Sequence, residues 1–193
     1  MFNEHVQSSR AEQREQTRMR VIASAQRLFS ERGFRSTTIR DIAADASVSV
    51  GTVMSVGDKD ALLLAAFDEW IGVAQRGAPG LPEGDDAAMR IGRFVQPFLT
   101  MFEFDLPLAR EYGAILARGV HRTEVFSELA DSMIEQFAEI FAQHGLGDDA
   151  PAAARATYLA YLGLLMASAA RGEGVGGVRA QLEDVVRVLA RTP

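Results

Sequence analysis

Helical periodicity runs through almost the whole chain, and the alternation that a half-buried strand needs is essentially absent. Val21, Ile22, Ala25, Leu28 and Phe29 form one apolar stripe, and Gly33 offers it a C-terminal stop. Thr37 or Thr38 begins a short second helix through Ala44, and Ser49 begins a third, because a hydroxyl at either place accepts from the free amides of a first turn. A fourth stripe, Leu63, Ala66, Phe67, Trp70, Ile71 and Ala74, ends at the glycine- and proline-rich run 77–84, the best boundary candidate. Beyond it, Ile91 to Phe102 carry Pro97, which deletes an amide donor and predicts a kink. Pro107 suits the first turn of a helix through Ala117. Phe126 to Phe141 line a longer helix ending at His144-Gly145, and two last helices cover about 151–171 and 178–190. The expectation is an all-α protein of about nine helices, a small N-terminal unit over residues 1–60 and a larger helical body over 61–193.

Charge divides the chain at the same place. The total of −6 argues against a protein coated in positive charge. Residues 1–60 nevertheless hold 9 basic and 8 acidic groups, against 11 and 18 in residues 61–193. Between Arg10 and Arg40 eight arginines face three glutamates. A basic head thus precedes an acidic body. With no cysteine there is no disulfide framework or zinc-thiolate site, which points to a reducing cytoplasm. Residues 1–20 read as a polar tail without the apolar core of a signal peptide, and the longest uncharged stretch, between Arg155 and Arg171, is 15 residues. A membrane span needs about 20.

Residues 37–55, TTIRDIAADASVSVGTVMS, place two short helices around a turn at Asp45 to Val48. That is helix-turn-helix spacing, in which the second helix enters the DNA major groove. The second helix, Ser49 to Ser55, has small and hydroxylated side chains. Gly51 removes a side chain, Thr52 and Ser55 reach toward phosphates, and Val50 is suited to a thymine methyl. Two amphipathic helices meeting by chance, with serines as caps and valines as core, is the competing reading of the same spacing.

The stretch Arg18 to Leu63 resembles the DNA-binding head of tetracycline-repressor (TetR) family regulators. The resemblance rests on Ile22, Ala25, Leu28, Phe29, Gly33, Thr37, Thr38, Ile42, Ala43, Ala46, Val48, Ser49, Gly51, Thr52, Lys59 and Leu62. It implies a homodimeric regulator, a repressor released from a palindromic double-stranded DNA operator by a small lipophilic molecule. It also implies phosphate contacts from Thr38, Thr52 and Lys59, and a recognition helix at Ser49 to Ser55. The candidate DNA-binding set is Thr37, Thr38, Arg40, Ser49, Val50, Gly51, Thr52, Ser55 and Lys59. Three departures from the family pattern stand out. Ser47 replaces a turn glycine, which calls for a left-handed serine or another path. Met54 replaces a phosphate-binding tyrosine, and Val56-Gly57 stands where a bulky aromatic normally packs.

For the body, the candidate ligand-binding residues are Trp70, Phe94, Phe98, Met101, Phe102, Tyr112, Phe126, Met133 and Phe137. Core packing at these helical spacings is the default, and the resemblance adds a chamber among them. The acidic balance, with Glu103, Asp105 and Glu111 nearby, hints at a cationic ligand, although solvated carboxylates explain it equally. The helix at 151–171 is apolar almost all round, which points to a second subunit. The candidate dimer residues are Leu159, Leu162, Gly163, Met166, Val178, Leu182, Val185 and Val186.

Nothing in the pattern nominates catalysis, a metal or a cofactor, so an enzyme is not expected. Residues 172–177 satisfy GxGxxG, but a helix pattern precedes them where a dinucleotide site needs a strand. His5, His121 and His144 are scattered, and His144 is placed to face the negative end of its helix. A small-molecule-binding protein with a vestigial head and a helical-bundle enzyme are the alternatives.

Overall fold

The computed structural model describes residues 2–76, 84–119, 124–171 and 174–191. Among these, nine α-helices and two single 3-10 turns, Gly147–Asp149 and Val175–Gly177, account for the ordered secondary structure, with no strand. The helices are α1 (Phe2–Arg32), α2 (Ile39–Asp45), α3 (Val50–Val56), α4 (Lys59–Arg76), α5 (Ala87–Phe104), α6 (Leu106–Arg118), α7 (Glu124–Gln143), α8 (Ala150–Arg171) and α9 (Val178–Leu189). None is long and apolar enough to cross a membrane. Most of the run 77–84, residues 172 and 173 of the GxGxxG segment, His121 and the side chain of His5 lie outside the described residues.

Several ends form for the reasons the sequence gives. Asp86 and Asp105 accept from the amides of Met89 and Leu108, capping α5 and α6. Gly33, with φ of +80°, stops α1, and Gly119 and Gly145 are left-handed after α6 and α7. His144 turns back on α7, its Nδ1 lying 2.7 Å from the Ile140 carbonyl.

One expectation changes. The polar tail is helical: α1 starts at Phe2, with residues 10–20 almost wholly exposed. Its Glu, Gln and Arg residues are good helix formers, so the helix continues past its apolar stripe without a packing face. Helix α5 runs from Ala87 to Phe104 with Pro97 inside it.

Helices α1, α2 and α3 pack as one small unit, and α4 lies against both α1 and α5. In the body α8 packs on α7 and α9, and α5 packs on α9 and α7. At the junction Phe67 of α4 is 1% exposed, stacked on Tyr112 of α6 with centroids 4.2 Å apart and edge-on to Trp70 at 4.9 Å. Phe67→Ala should cost about 3–5 kcal/mol, the usual loss for a buried phenylalanine. Phe104→Ala, at a position 86% exposed, should cost under about 0.5 kcal/mol. Urea denaturation of both variants checks the contrast.

Candidate nucleic-acid interface and ligand cleft

The two short helices are built from caps. Thr38 and Asp41 form a reciprocal capping box: the Asp41 amide donates to Thr38 Oγ1 at 3.2 Å, and the Thr38 amide donates to Asp41 Oδ2 at 2.8 Å. The Thr38 hydroxyl, which donates to Asp41 Oδ2 at 2.6 Å, and then the Thr38 amide hold the Asp41 carboxyl below its ordinary range. Ser49 accepts from the Thr52 amide at 3.0 Å and starts α3. Ile42, Ala43, Ala46 and Val53 are buried, so one side of each helix faces α1 and the other short helix.

Between them the chain turns through a Schellman arrangement. The Ser47 amide donates to the Ala44 carbonyl at 3.2 Å and the Val48 amide to the Ala43 carbonyl at 3.0 Å. This closure puts Ser47 at φ of +54°, the only left-handed non-glycine among the described residues. Arg27 of α1 forms an ion pair with Asp45 at the end of α2, and this bond, followed by one from Ser24, holds the Asp45 carboxyl low.

The outward face of α3 has no charge. Ser49, Val50, Gly51, Met54 and Ser55 are exposed, Val50 by 44% and Met54 by 51%. Val50 and Met54, four residues apart, share a face and present an apolar pair to solvent. Nothing in the fold requires a side chain at Gly51, where an added Cβ would find only Ser49 Oγ at 3.7 Å. Arg40 and Thr38 are exposed beside α3's unit. Lys59, at the first position of α4, lies 4.4 Å above the Phe34 ring and donates to the Arg35 carbonyl at 3.4 Å. Partial burial lowers its pKa from the ordinary lysine value.

Thr37 departs from its expected role. It is fully buried, its hydroxyl 3.1 Å from the Leu28 carbonyl and 3.0 Å from that of Gly33. It fastens the end of α1 and has no surface to offer a partner.

In the body the candidate ligand residues separate into three groups. Phe94 and Phe137 belong to the core: Phe137 has no exposure, and Phe94 packs edge-on against it at 5.8 Å. Phe98, Met101 and Met133, together with Tyr158 and Tyr161, enclose a small chamber of about 30 Å³. Phe102, Tyr112 and Phe126 border that chamber and also line a larger cleft of about 520 Å³ between α6 and α8. Trp70 and Met101 border a separate groove of about 330 Å³ between α4 and α5. Burial raises the Tyr112 and Tyr161 phenols far above their usual range, so both are neutral throughout the physiological range. The expected hint of a cationic ligand finds no support in the larger cleft, which no carboxylate lines.

The dimer candidates divide as well. Val178, Leu182 and Val186 are at most 2% exposed and form the inner face of α9. They are core residues, because the amphipathic helix turns its apolar stripe toward α5 and α8. Leu162 borders the cleft, and Val185 is half-buried. Leu159, Gly163 and Met166 are exposed, with Ala152, Ala156 and Ala170 on the same stripe of α8.

Two ion pairs join the body to the small N-terminal unit. Arg35, before α2, meets Glu111 of α6 at 2.8 Å, and Arg118 at the end of α6 meets Asp60 of α4 at 2.7 Å.

The model of the family described as bacterial regulatory proteins, tetR family, matches residues 21–66. Over 71 residues the chain is 37% identical to the HTH-type transcriptional regulator HbdR of Aromatoleum sp. (strain CIB), a match covering 36% of this chain and 31% of that protein. The crystal structure of BioQ with its double-stranded DNA operator superposes with a TM-score of 0.65 at 22% identity, covering 91% of this chain and 98% of that one. A TetR-like transcriptional regulator from Rhodococcus sp. RHA1 gives 0.59 at 24% identity, over 93% and 97%.

The chain has the fold of these TetR-like regulators, and its residues 21–66 match the family's N-terminal model.

The TetR-family frame makes two omissions of the sequence reading visible. Met54 counted only as a lost tyrosine, although its spacing from Val50 already put both on one face. Of the cleft residues of α6, Tyr112 alone is among the sequence candidates. Their signal is the small series Ala109, Gly113 and Ala117, four apart on one face, which leaves room beside a helix. Of the two paths open to a turn without glycine, Ser47 takes the left-handed one. Ser47→Gly should therefore stabilise the protein by about 0.5–1 kcal/mol, since glycine adopts this conformation without the steric penalty. A rise in the urea midpoint with an unchanged slope is the expected result.

Proposed function

We propose that the chain is a homodimeric transcriptional repressor, with a DNA-binding head over residues 1–60 and a ligand-binding, dimerising body over 61–193. The observation that carries the reading is α3. A seven-residue helix held by buried Val53 and half-buried Val56 turns Ser49, Val50, Gly51, Met54 and Ser55 to solvent, where a protein without a partner would gain nothing from exposed Val50 and Met54. Helix α3 enters the major groove, Val50 and Met54 meet thymine methyls, and Gly51 lets the backbone approach closely. Thr38, Arg40, Thr52, Ser55 and Lys59 contact phosphates and fix the register. The BioQ complex with operator DNA supports this placement by similarity of fold.

Helix α6 couples the two parts. It lines the cleft and holds the head through Glu111 and Arg118. A ligand that binds better when α6 is displaced shifts the two heads away from operator spacing, and one with equal affinity for both states releases nothing.

Purified protein should bind its own upstream DNA at least 100-fold more tightly than random duplex at moderate salt, with the affinity falling as salt rises. Fluorescence anisotropy measures both, and equal binding to the two duplexes would overturn the DNA reading and favour the vestigial head. The exposed stripe of α8 supplies the two-fold contact in this reading. Leu159→Glu should give a monomer mass by light scattering at micromolar concentration, with the helical circular dichroism spectrum kept and operator affinity reduced.

A further inference from the structure

The cleft between α6 and α8 contains one charged residue in an otherwise apolar lining. Arg110 stands there on α6, between Ala109 and the small residues Gly113 and Ala114, opposite Leu165 and Met166 of α8. It is half-buried, its Nε is shielded from solvent, and that Nε has no hydrogen-bond partner among the described residues. Arg90 of α5 also has an unpartnered Nε, but its Nη1 donates to Gln143 Oε1 at 2.6 Å, and other nearby arginines are ion-paired. Arg118 pairs with Asp60, Arg93 with Asp85 and Arg179 with Glu183. A guanidinium keeps its charge at any physiological pH and presents a planar fork of donors suited to a carboxylate. Buried donors in proteins are nearly always satisfied, so an unsatisfied one beside an open cavity marks the place of an absent acceptor. A volume of about 520 Å³ is that of a small-molecule site.

We infer that the cleft binds an amphiphilic organic anion, a carboxylate on a lipophilic body, with the carboxylate on Arg110 and the apolar part along α6 and α8. The inference deepens the ligand-binding reading of the body and rests on it. The apolar part lies against Gly113 and Ala117, where the absence of bulk makes the cleft. Phe102 and Phe126 form the wall between it and the chamber of about 30 Å³, so a longer chain extends by turning these rings. Phe102 and Tyr112 both stack on Phe67 of α4, at 6.2 and 4.2 Å, and an occupant that moves them moves the helix beneath the head.

The test uses the whole purified chain without DNA and three probes that share a ten-carbon tail: decanoate, 1-decanol and decyltrimethylammonium. By titration calorimetry decanoate should bind saturably and at least about tenfold more tightly than either other probe. Arg110→Met should bring decanoate down to the level of decanol and leave decanol unchanged. Gly113→Phe, which fills the cleft, should abolish both while the melting temperature shows that the protein is folded. No saturable decanoate binding, decyltrimethylammonium binding as tightly as decanoate, or an Arg110→Met protein with undiminished decanoate affinity would each overturn the inference. The three-probe comparison on the unaltered protein decides it even if neither variant folds. Operator binding is measured separately. If decanoate binds and the operator complex survives it, the ligand class stands and the release mechanism falls. If decanoate fails to bind while operator binding is intact, the ligand class alone falls.

Discussion

Phe67 is the contact on which the two halves of the molecule depend. It sits in the middle of α4, the helix that packs on α1 in the head and on α5 in the body. Its ring meets Tyr112 and Phe102 on the body side and Trp70 on its own helix. A large apolar ring at this point removes water from the junction and gives α4 one seat against α6. Interiors are close-packed, so a shift of Tyr112 or Phe102 is felt by Phe67 rather than absorbed in slack. The seat is rigid, and the links around it are weak.

Those weak links are the ion pairs of α6. Arg35 is 88% exposed and Arg118 51%, and pairs this open contribute at most about 1 kcal/mol each. They align the head without locking it. A ligand needs a differential affinity of a few kcal/mol to reverse a two-state equilibrium. A head held by strong buried pairs would demand more than a small molecule supplies, whereas one held by Glu111 and Arg118 lies within reach. The arrangement combines one dry aromatic contact that transmits displacement with two solvated contacts that yield to it.

The sequence made the head far more legible than the body, and the reason is local. Caps are written in neighbouring residues: Thr38 with Asp41, and Ser49 with Thr52, determine where α2 and α3 begin whatever packs around them. The left-handed Ser47 follows from a turn that closes on Ala43 and Ala44. In the body the deciding information is nonlocal. Phe94 and Phe102 have the same chemistry and helix, yet one packs on Phe137 and the other faces a cleft. Val178 and Leu182 read as an interface stripe, but an amphipathic helix gives only the direction of its apolar face, and α9 directs that face at its own core. Thr37 and Thr38 illustrate the limit within the head: adjacent threonines, one fully buried and one exposed at a cap.

Helix α8 shows why an all-round apolar helix remains ambiguous until its neighbours are known. Ala154, Tyr158 and Tyr161 face inward, Leu162 and Leu165 border the cleft, and Leu159, Gly163 and Met166 face solvent. One helix thus supplies core, cavity wall and free surface on successive faces. Met166 belongs to both of the last two, since it lines the cleft and is 53% exposed beside Gly163. A second copy seated on the stripe would therefore cover the edge of the cleft, and cleft occupancy and subunit contact would share a side chain. In the proposed repressor, ligand binding and dimer geometry are then coupled at Met166 as well as through α6. The acidic body and basic head add orientation, because the side of the molecule away from Arg10 to Arg40 repels a polyanion. With no charge on α3 itself, the proposed DNA reading assigns long-range attraction to the arginines of α1 and to Arg40, and discrimination between sequences to the close fit of Val50, Gly51 and Met54.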